Sequence, residues 1–200
     1  MPSLKEIKNR ITSVQSTRKI TSAMKMVASS KLHHAQMMIE NMLPYENLLE
    51  SMLKTYLEAE VDARTVLTLP REVKKAALIV FASNSSLCGG FNANVLKMMQ
   101  QAVDGYKKRG VEVIIYPVGR KVSEKVNKLG LNTAGNFNSL ADKPNARDCV
   151  KIGEELQELF RKDEIDAGEM IYHHFKSAGS QILLTKKLLP IDVEKAMDYD

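Results

Sequence analysis

One pattern of apolar positions runs through the first sixty residues. Apolar side chains recur in an unbroken alternation of three- and four-residue steps from Leu4 to Tyr56. The occupants are Leu4, Ile7, Ile11, Val14, Arg18, Thr21, Lys25, Ala28, Leu32, Ala35, Ile39, Met42, Glu46, Leu49, Leu53 and Tyr56, and twelve of these sixteen are apolar. Between residues 3 and 57 there is no glycine, and Pro44 is the one proline. A sustained 3.5-residue repeat predicts a long helix that forms one strand of a left-handed coiled coil. If helical throughout, it is roughly 80 Å long at about 1.5 Å per residue. Ser3 followed by Glu6 reads as a capping box that starts it, and Pro44 as a kink or a break. A helix of this length needs a second long helix to cover its seam. No later segment is long and periodic enough to supply one. The seam therefore predicts self-association, another protein, or a partner helix lying outside these 200 residues.

After residue 70 the pattern changes. Residues 76–82 form a continuous apolar run of the buried-strand type. A loop follows, Ser83-Asn84-Ser85-Ser86-Leu87-Cys88-Gly89-Gly90-Phe91-Asn92, with Asn92 read as the cap of a helix over about 93–109 that Gly110 ends. Residues 111–118 read as the second strand and 119–129 as a short helix ended by Gly130. A weak strand near 131–137 and a helix over about 145–162 come next. Residues 169–175 and 181–189 read as two more strands, joined by Ser177-Ala178-Gly179-Ser180 and able to pair as a hairpin. Alternating strands and helices predict a mainly parallel sheet covered on both faces. The expected class is α/β: a long N-terminal coiled-coil helix over 1–60, then a Rossmann-like α/β domain over 73–191, with 192–200 leading out of it.

Charge changes the picture of the helix alone. Residues 1–43 hold seven Lys/Arg and two Asp/Glu, while the remaining residues hold 22 of each. The excess positive charge is therefore local and predicts a local electrostatic partner. The seam lapses at Arg18, Thr21 and Lys25, beside Met24 and Met26, whose soft side chains suit an adaptable contact. Bulk composition, 44% hydrophobic and 26% charged, is that of a globular protein. No run of about 18 apolar residues is present, so no membrane-spanning helix is expected. The start, Met1-Pro2-Ser3-Leu4-Lys5, lacks the apolar core of a signal peptide. With the two cysteines Cys88 and Cys149 making no disulfide framework, the expectation is a protein kept in a reducing cytoplasm.

Candidate chemistry is sparse. In an α/β fold the loop after the first strand is where a ligand would bind. Here it carries neither G-x-G-x-x-G nor G-x-x-x-x-G-K-[ST], so no nucleotide fingerprint is present. Cys88 near a helix N-terminus has the position of a nucleophile, but reads better as a small residue in a tight turn. The pairs His33-His34 and His173-His174 point apart on a helix or strand and do not chelate a metal by themselves. No catalytic residue, cofactor site or metal site is expected.

The run Ile7-Lys8-Asn9-Arg10-Ile11-Thr12-Ser13-Val14-Gln15-Ser16-Thr17-Arg18-Lys19-Ile20-Thr21-Ser22-Ala23-Met24-Lys25-Met26-Val27-Ala28 resembles the N-terminal helix signature of rotary ATP synthase gamma subunits, and the likeness continues through Ser30-Lys31-Leu32 and Ala35-Gln36. Leu87-Cys88-Gly89-Gly90-Phe91-Asn92-Ala93-Asn94, Val118-Gly119-Arg120-Lys121 and Leu188-Leu189-Pro190 are similar to that family's later marks and stand in the expected order. One departure is clear: Asn84-Ser85-Ser86 stands where the family pattern reads Asp-Arg-Gly. The family also ends in a second long helix antiparallel to the first, and Asp198-Tyr199-Asp200 looks like the connection leading there. The resemblance implies a non-catalytic rotor shaft that couples proton flow through the membrane sector to ATP synthesis. Its implied partners are the alpha and beta subunits of the catalytic ring, the epsilon subunit and the membrane rotor ring. It implies a peripheral place on the cytoplasmic face of the bacterial plasma membrane. Arg10, Arg18, Lys19, Met24, Lys25, Met26 and Lys31 are the expected contacts to the ring, and Leu4, Ile7, Ile11, Val14, Leu32, Ile39, Leu49 and Leu53 the coiled-coil seam. Two other readings compete. A basic helix beside a small α/β domain also suits a nucleic-acid binder, although no aromatic residue precedes Tyr45. A Rossmann-type enzyme with an oligomerisation helix lacks the glycine fingerprint.

Overall fold

A computed structural model of the chain describes residues 3–59 and 65–192, with the side chains at 54 and 57–59 outside that description. Two compact units are present, Met1–Thr55 and Tyr56–Asp200. The first is formed by a single helix, α1 (Leu4–Ala59), whose residues after Thr55 count with the second. Its 56 residues span about 84 Å at roughly 1.5 Å per residue. The capping box forms at its start: the Ser3 N–H donates to Glu6 Oε2 at 2.8 Å, and the Glu6 N–H donates to Ser3 Oγ at 3.3 Å. The helix runs on through Pro44, so the expected break does not occur there.

The second unit holds β1 (Lys75–Phe81), α2 (Phe91–Lys108), β2 (Glu112–Val118), α3 (Arg120–Leu129), α4 (Asn138–Asp142), α5 (Ala146–Arg161), β3 (Ala167–Ser177) and β4 (Ser180–Leu189). The sheet order is β2-β1-β3-β4. β1 is parallel to both β2 and β3, and β3 and β4 form an antiparallel hairpin. Every residue of β1 from Ala76 to Val80 is buried, as a central strand covered on both faces requires. Alternation splits them. Ala76, Leu78 and Val80 face Val95, Met99 and Val103 of α2 and Val122 and Val126 of α3. Ala77 and Ile79 face Leu140 of α4 and Ile152, Leu156 and Phe160 of α5. Tyr116 is fully buried on this second face and donates its hydroxyl to Glu155 Oε1 at 2.9 Å.

Two expectations need correction. The strand near 131–137 is reduced to one bridge, between Ile115 and Thr133. The Ile115 N–H donates to Asn132 O and the Ala134 N–H to Ile115 O, both at 2.9 Å, and Gly135 at φ +67° then turns the chain away. Asn92 is not the cap of α2. Gly90 occupies that place without a side-chain cap, and Asn92 lies buried in the first turn with its amide turned back toward the preceding loop.

The unit also begins before Val73. Leu67 packs against the second core face, and the Ile191 N–H donates to Leu67 O at 2.7 Å. The Arg71 guanidinium pairs with Asp163 and lies over the Phe160 ring, 3.8 Å from its centroid. Buried Asp166 accepts the N–H groups of Lys74 and Lys75 at 2.9 and 3.0 Å, tying the entrance of β1 to the entrance of β3. Of the connection expected over 192–200, residues 193–200 lie outside the described residues.

Candidate partner interface

The positions expected to meet a partner, Arg10, Arg18, Lys19, Met24, Lys25, Met26 and Lys31, all lie on α1 and all are exposed. Helical geometry sorts them. Residues seven apart return to nearly the same direction, about 20° off. Arg18 and Lys25 therefore share one stripe, Lys19 and Met26 a second, and Met24 and Lys31 a third. About 100° per residue separates these stripes widely, so they surround the shaft instead of meeting on one side. Arg10 stands two to three turns before Arg18. On the side opposite Arg18 and Lys25, Ile20, Met24 and Val27 form an apolar strip, 62, 47 and 58% exposed. At the level of the lapse the two characters have changed sides: the seam row is cationic and the back of the helix is apolar. Extending the seam by sevens follows only one row and does not isolate that strip.

The threonine hydroxyls here are bonded within the helix. Thr12, Thr17 and Thr21 donate their hydroxyls to Lys8 O, Ser13 O and Thr17 O at 3.1, 2.9 and 3.0 Å. These hydroxyls have their acceptors on the preceding turn of the helix. The seam residues Leu4, Ile7, Ile11, Val14, Leu32, Leu49 and Leu53 are 40 to 75% exposed, while Ile39 is partly buried.

At the carboxyl ends of the strands the loop 83–90 is held by a polar network. Buried Asn92 accepts the Ser83 N–H at 3.0 Å and donates to Ser85 O at 2.8 Å and to Cys88 Sγ at 3.0 Å. Asn84 accepts the Arg120 N–H at 2.7 Å and donates to Asn138 O at 2.9 Å and Asp142 Oδ2 at 2.6 Å. One amide thus ties the loop to the start of α3 and to α4. Gly119 permits the approach: at φ +105°, a Cβ there would lie 2.1 Å from Ala82 O. Cys88 sits inside this turn, its Sγ accepting from Asn92 and lying 3.9 and 3.8 Å from Ser85 O and Ser86 O.

The chain leaves β1 toward β2 on one side and reaches β3 on the other, so the switch point of the sheet lies between β1 and β3. The Phe91 ring at the start of α2 stacks there on His173 of β3, with centroids 4.1 Å apart and planes inclined by 22°. His173 Nδ1 is buried without a hydrogen-bond partner among the described residues, and burial holds its pKa below the ordinary 6.5. The second residue of this histidine pair points elsewhere, as alternation along a strand requires: His174 is exposed and meets the Tyr172 ring edge-on. Where other α/β folds open a crevice, this one places an aromatic stack.

Residues 3–200 match the family model described as ATP synthase. The ATP synthase gamma chain of Bacteroides fragilis is 54% identical over 194 residues, covering 96% of this chain and 67% of that protein. The gamma chain of Bacteroides thetaiotaomicron is 50% identical over 201 residues, covering all of this chain and 67% of that protein. A chain in the cryo-EM structure of the Tetrahymena thermophila mitochondrial ATP synthase central stalk and c-ring matches with a TM-score of 0.63 at 24% identity. The match covers 86% of this chain and 72% of that one, and it is a likeness of fold. A family match over nearly the whole length, with relatives at half identity or better, settles the kinship: the chain belongs to the ATP synthase gamma-chain family.

Proposed function

We propose that this chain is the central rotor shaft of a proton-driven ATP synthase, coupling proton flow through the membrane sector to ATP synthesis in a ring of alpha and beta subunits. The observation that carries this is α1: an 84 Å helix, at roughly 1.5 Å per residue, with an exposed apolar seam that the sheet unit's own pattern does not extend. Residues 1–60 act as one strand of an antiparallel coiled coil inside the ring, and the α/β domain over 73–191, with 65–72 packed on it, stands toward the membrane rotor. Stiffness suits torque transmission. Arg10, Arg18, Lys19, Lys25 and Lys31 meet acidic loops of the ring and favour certain angles, while Met24 and Met26 give a contact that slides.

The chain itself is non-catalytic on this reading; the catalytic residues belong to its ring partners. The loop 83–90 has no phosphate cradle, and the switch point is taken by Phe91 and His173. The epsilon subunit and the membrane rotor ring are the further partners, and the complex holds the chain peripherally at the cytoplasmic face of the bacterial plasma membrane. No described helix is long and apolar enough to cross a membrane. Kinship with the gamma chains leaves the nucleic-acid reading without support.

Purified alpha and beta ring subunits should be retained by the immobilised chain. The double variant Arg18→Glu/Lys25→Glu should weaken that retention about tenfold, because it reverses two charges on one stripe. Equal retention of the variant would remove these residues from the interface, and no retention of either chain would sink the shaft reading. Calorimetry with ATP should show no micromolar binding to the chain alone.

A further inference from the structure

In the sheet unit the charges are sorted by face. Residues 91–130, with α2 and α3, hold eight Lys/Arg and three Asp/Glu, whereas residues 131–166, with α4 and α5, hold five and eight. α2 and α3 cover one face of β1, and both run back against the parallel strands, so both end at the rim where the strands begin. Met98 and Phe91 turn one flank of α2 toward β4 and β3. Lys107, about two and a half turns after Met98, lies on the opposite flank, toward α3. On α3, Ser123 donates to Asn138 Oδ1 at 2.8 Å on one flank, and Lys125 and Lys128 lie on the other, toward α2. Lys107, Lys125 and Lys128 therefore converge in the groove between the two helices, with Lys97 and Lys108 on its α2 rim.

None of these five side chains makes an ion pair among the described residues. The neighbouring carboxylates are engaged elsewhere. Asp104 accepts from Gln100 at 3.0 Å, and Glu124 pairs with Arg120 and Lys121. Glu169 hydrogen-bonds Tyr106 on the β3 side, and Glu112 shares the other face of the sheet with Ile114 and Ile165. A cation in the last turn of a helix is ordinary, because it meets the carbonyl end of the dipole. That accounts for each helix alone. It does not account for lysines of two helices turned toward each other, where like charges repel unless an anion lies between them.

The chemistry of the groove selects its occupant. Both helices present carbonyl ends at this rim and no N–H groups. Arg109 lies over the Tyr106 ring, and Arg120 is held by Glu124 and Asn84 O. The forked and backbone donors that grip a compact phosphate are therefore missing. Leu129 is the one large apolar side chain exposed in residues 91–130, too little to insert into a membrane surface. Lys97 and Lys108 stand about 16 Å apart along α2, a spacing that suits a row of carboxylates better than a single anion. We infer that the groove between α2 and α3 docks an acidic segment of another protein. The groove lies outside α1, so this role stands whether or not the chain is a rotor shaft.

The test is fluorescence anisotropy of a labelled, blocked peptide of alanine and glutamate, titrated with the whole chain at low salt. Lys107→Glu/Lys128→Glu, one exposed lysine from each helix, should weaken binding about tenfold, and Lys107→Gln/Lys128→Gln about threefold. Two variants make the same change of net charge elsewhere: Lys143→Glu/Lys151→Glu beside α4 and on α5, and Arg18→Glu/Lys25→Glu on α1. Each should lose less than about twofold. Carbodiimide should couple the peptide's carboxylates to Lys107, Lys125 or Lys128. Equal losses in all three glutamate variants would reduce the effect to net charge and overturn the proposal. Absence of binding, or coupling confined to α1, would overturn it too. Vesicles of phosphatidylglycerol that capture the chain through Lys107 and Lys128, with no peptide bound, would overturn it and assign the groove to a membrane surface. Retention of the ring subunits is measured separately, so failure of the shaft reading and failure of this one are distinguishable.

Discussion

Asn84 stands where the family pattern has aspartate, and its surroundings suit an amide. It donates to Asp142 Oδ2 and Asn138 O while accepting from the Arg120 backbone. A carboxylate at this position would keep the Arg120 contact, lose both donations and face Asp142 with like charge. Asn84→Asp should therefore lower stability by about 1–3 kcal/mol, and Asp142→Asn should restore part of that loss. A double-mutant cycle in urea measures the coupling; additive effects would mean that the two side chains do not interact. His173 supplies a second test. The folded protein holds its imidazole neutral below the ordinary 6.5. Between that depressed value and 6.5 the unfolded chain binds more protons, so stability rises with pH in this window and is lost as pH falls below about 6.5. Urea midpoints should drop between about pH 7.5 and about pH 5.5, and His173→Gln should flatten that slope. An equally steep slope in the variant would place the titration elsewhere.

At the scale of elements, α1 behaves as a helix specified by its own repeat. Leu4, Ile7, Ile11, Val14, Leu32, Leu49 and Leu53 keep 40 to 75% of their surface exposed. Each gains roughly 1.5–3 kcal/mol on full burial, and seven in one row make a strong incentive to associate. The isolated chain should sediment as a concentration-dependent oligomer, and Ile11→Glu/Leu32→Glu should return it to monomer. A wild-type chain that stays monomeric with α1 protected from exchange would count against an unfilled seam. The short elements of the sheet unit follow a different logic. Gly135 ends the pairing of residues 131–134 after one bridge, and Asn145 caps α5 by accepting the Asp148 N–H at 2.9 Å.

For the molecule as a whole, the sheet unit carries a core on each face of β1. A fragment of residues 65–192 should therefore unfold cooperatively without α1. A fragment starting at Val73 should be less stable by about 2–4 kcal/mol, because it loses Leu67 and the Arg71 contacts with Phe160 and Asp163. Denaturant titration of both fragments measures this. Equal midpoints would show that residues 65–72 add nothing to the fold, and a broad transition in the longer fragment would show that the sheet unit depends on α1.

The long helix, its capping box, the strand and helix alternation and the absence of a nucleotide fingerprint were all legible in the chain itself. Each is encoded locally, by a repeat of 3.5 residues, by Ser3 and Glu6 three apart, or by apolar runs between glycines. The residues expected to meet a partner are chosen by type and spacing, and the helical period spreads them over three stripes around α1. The roles of Asn84, Asn92 and Phe91 lay beyond any local rule. Asn92 has the residue type of a cap, yet its amide serves a loop nine residues back because that loop folds over the first turn of α2. Phe91 meets His173 only once β3 lies beside β1. Periodicity acts between neighbours in the chain and can be read there, whereas the contacts of Asn84 and Phe91 exist because the sheet order β2-β1-β3-β4 brings distant segments to one rim.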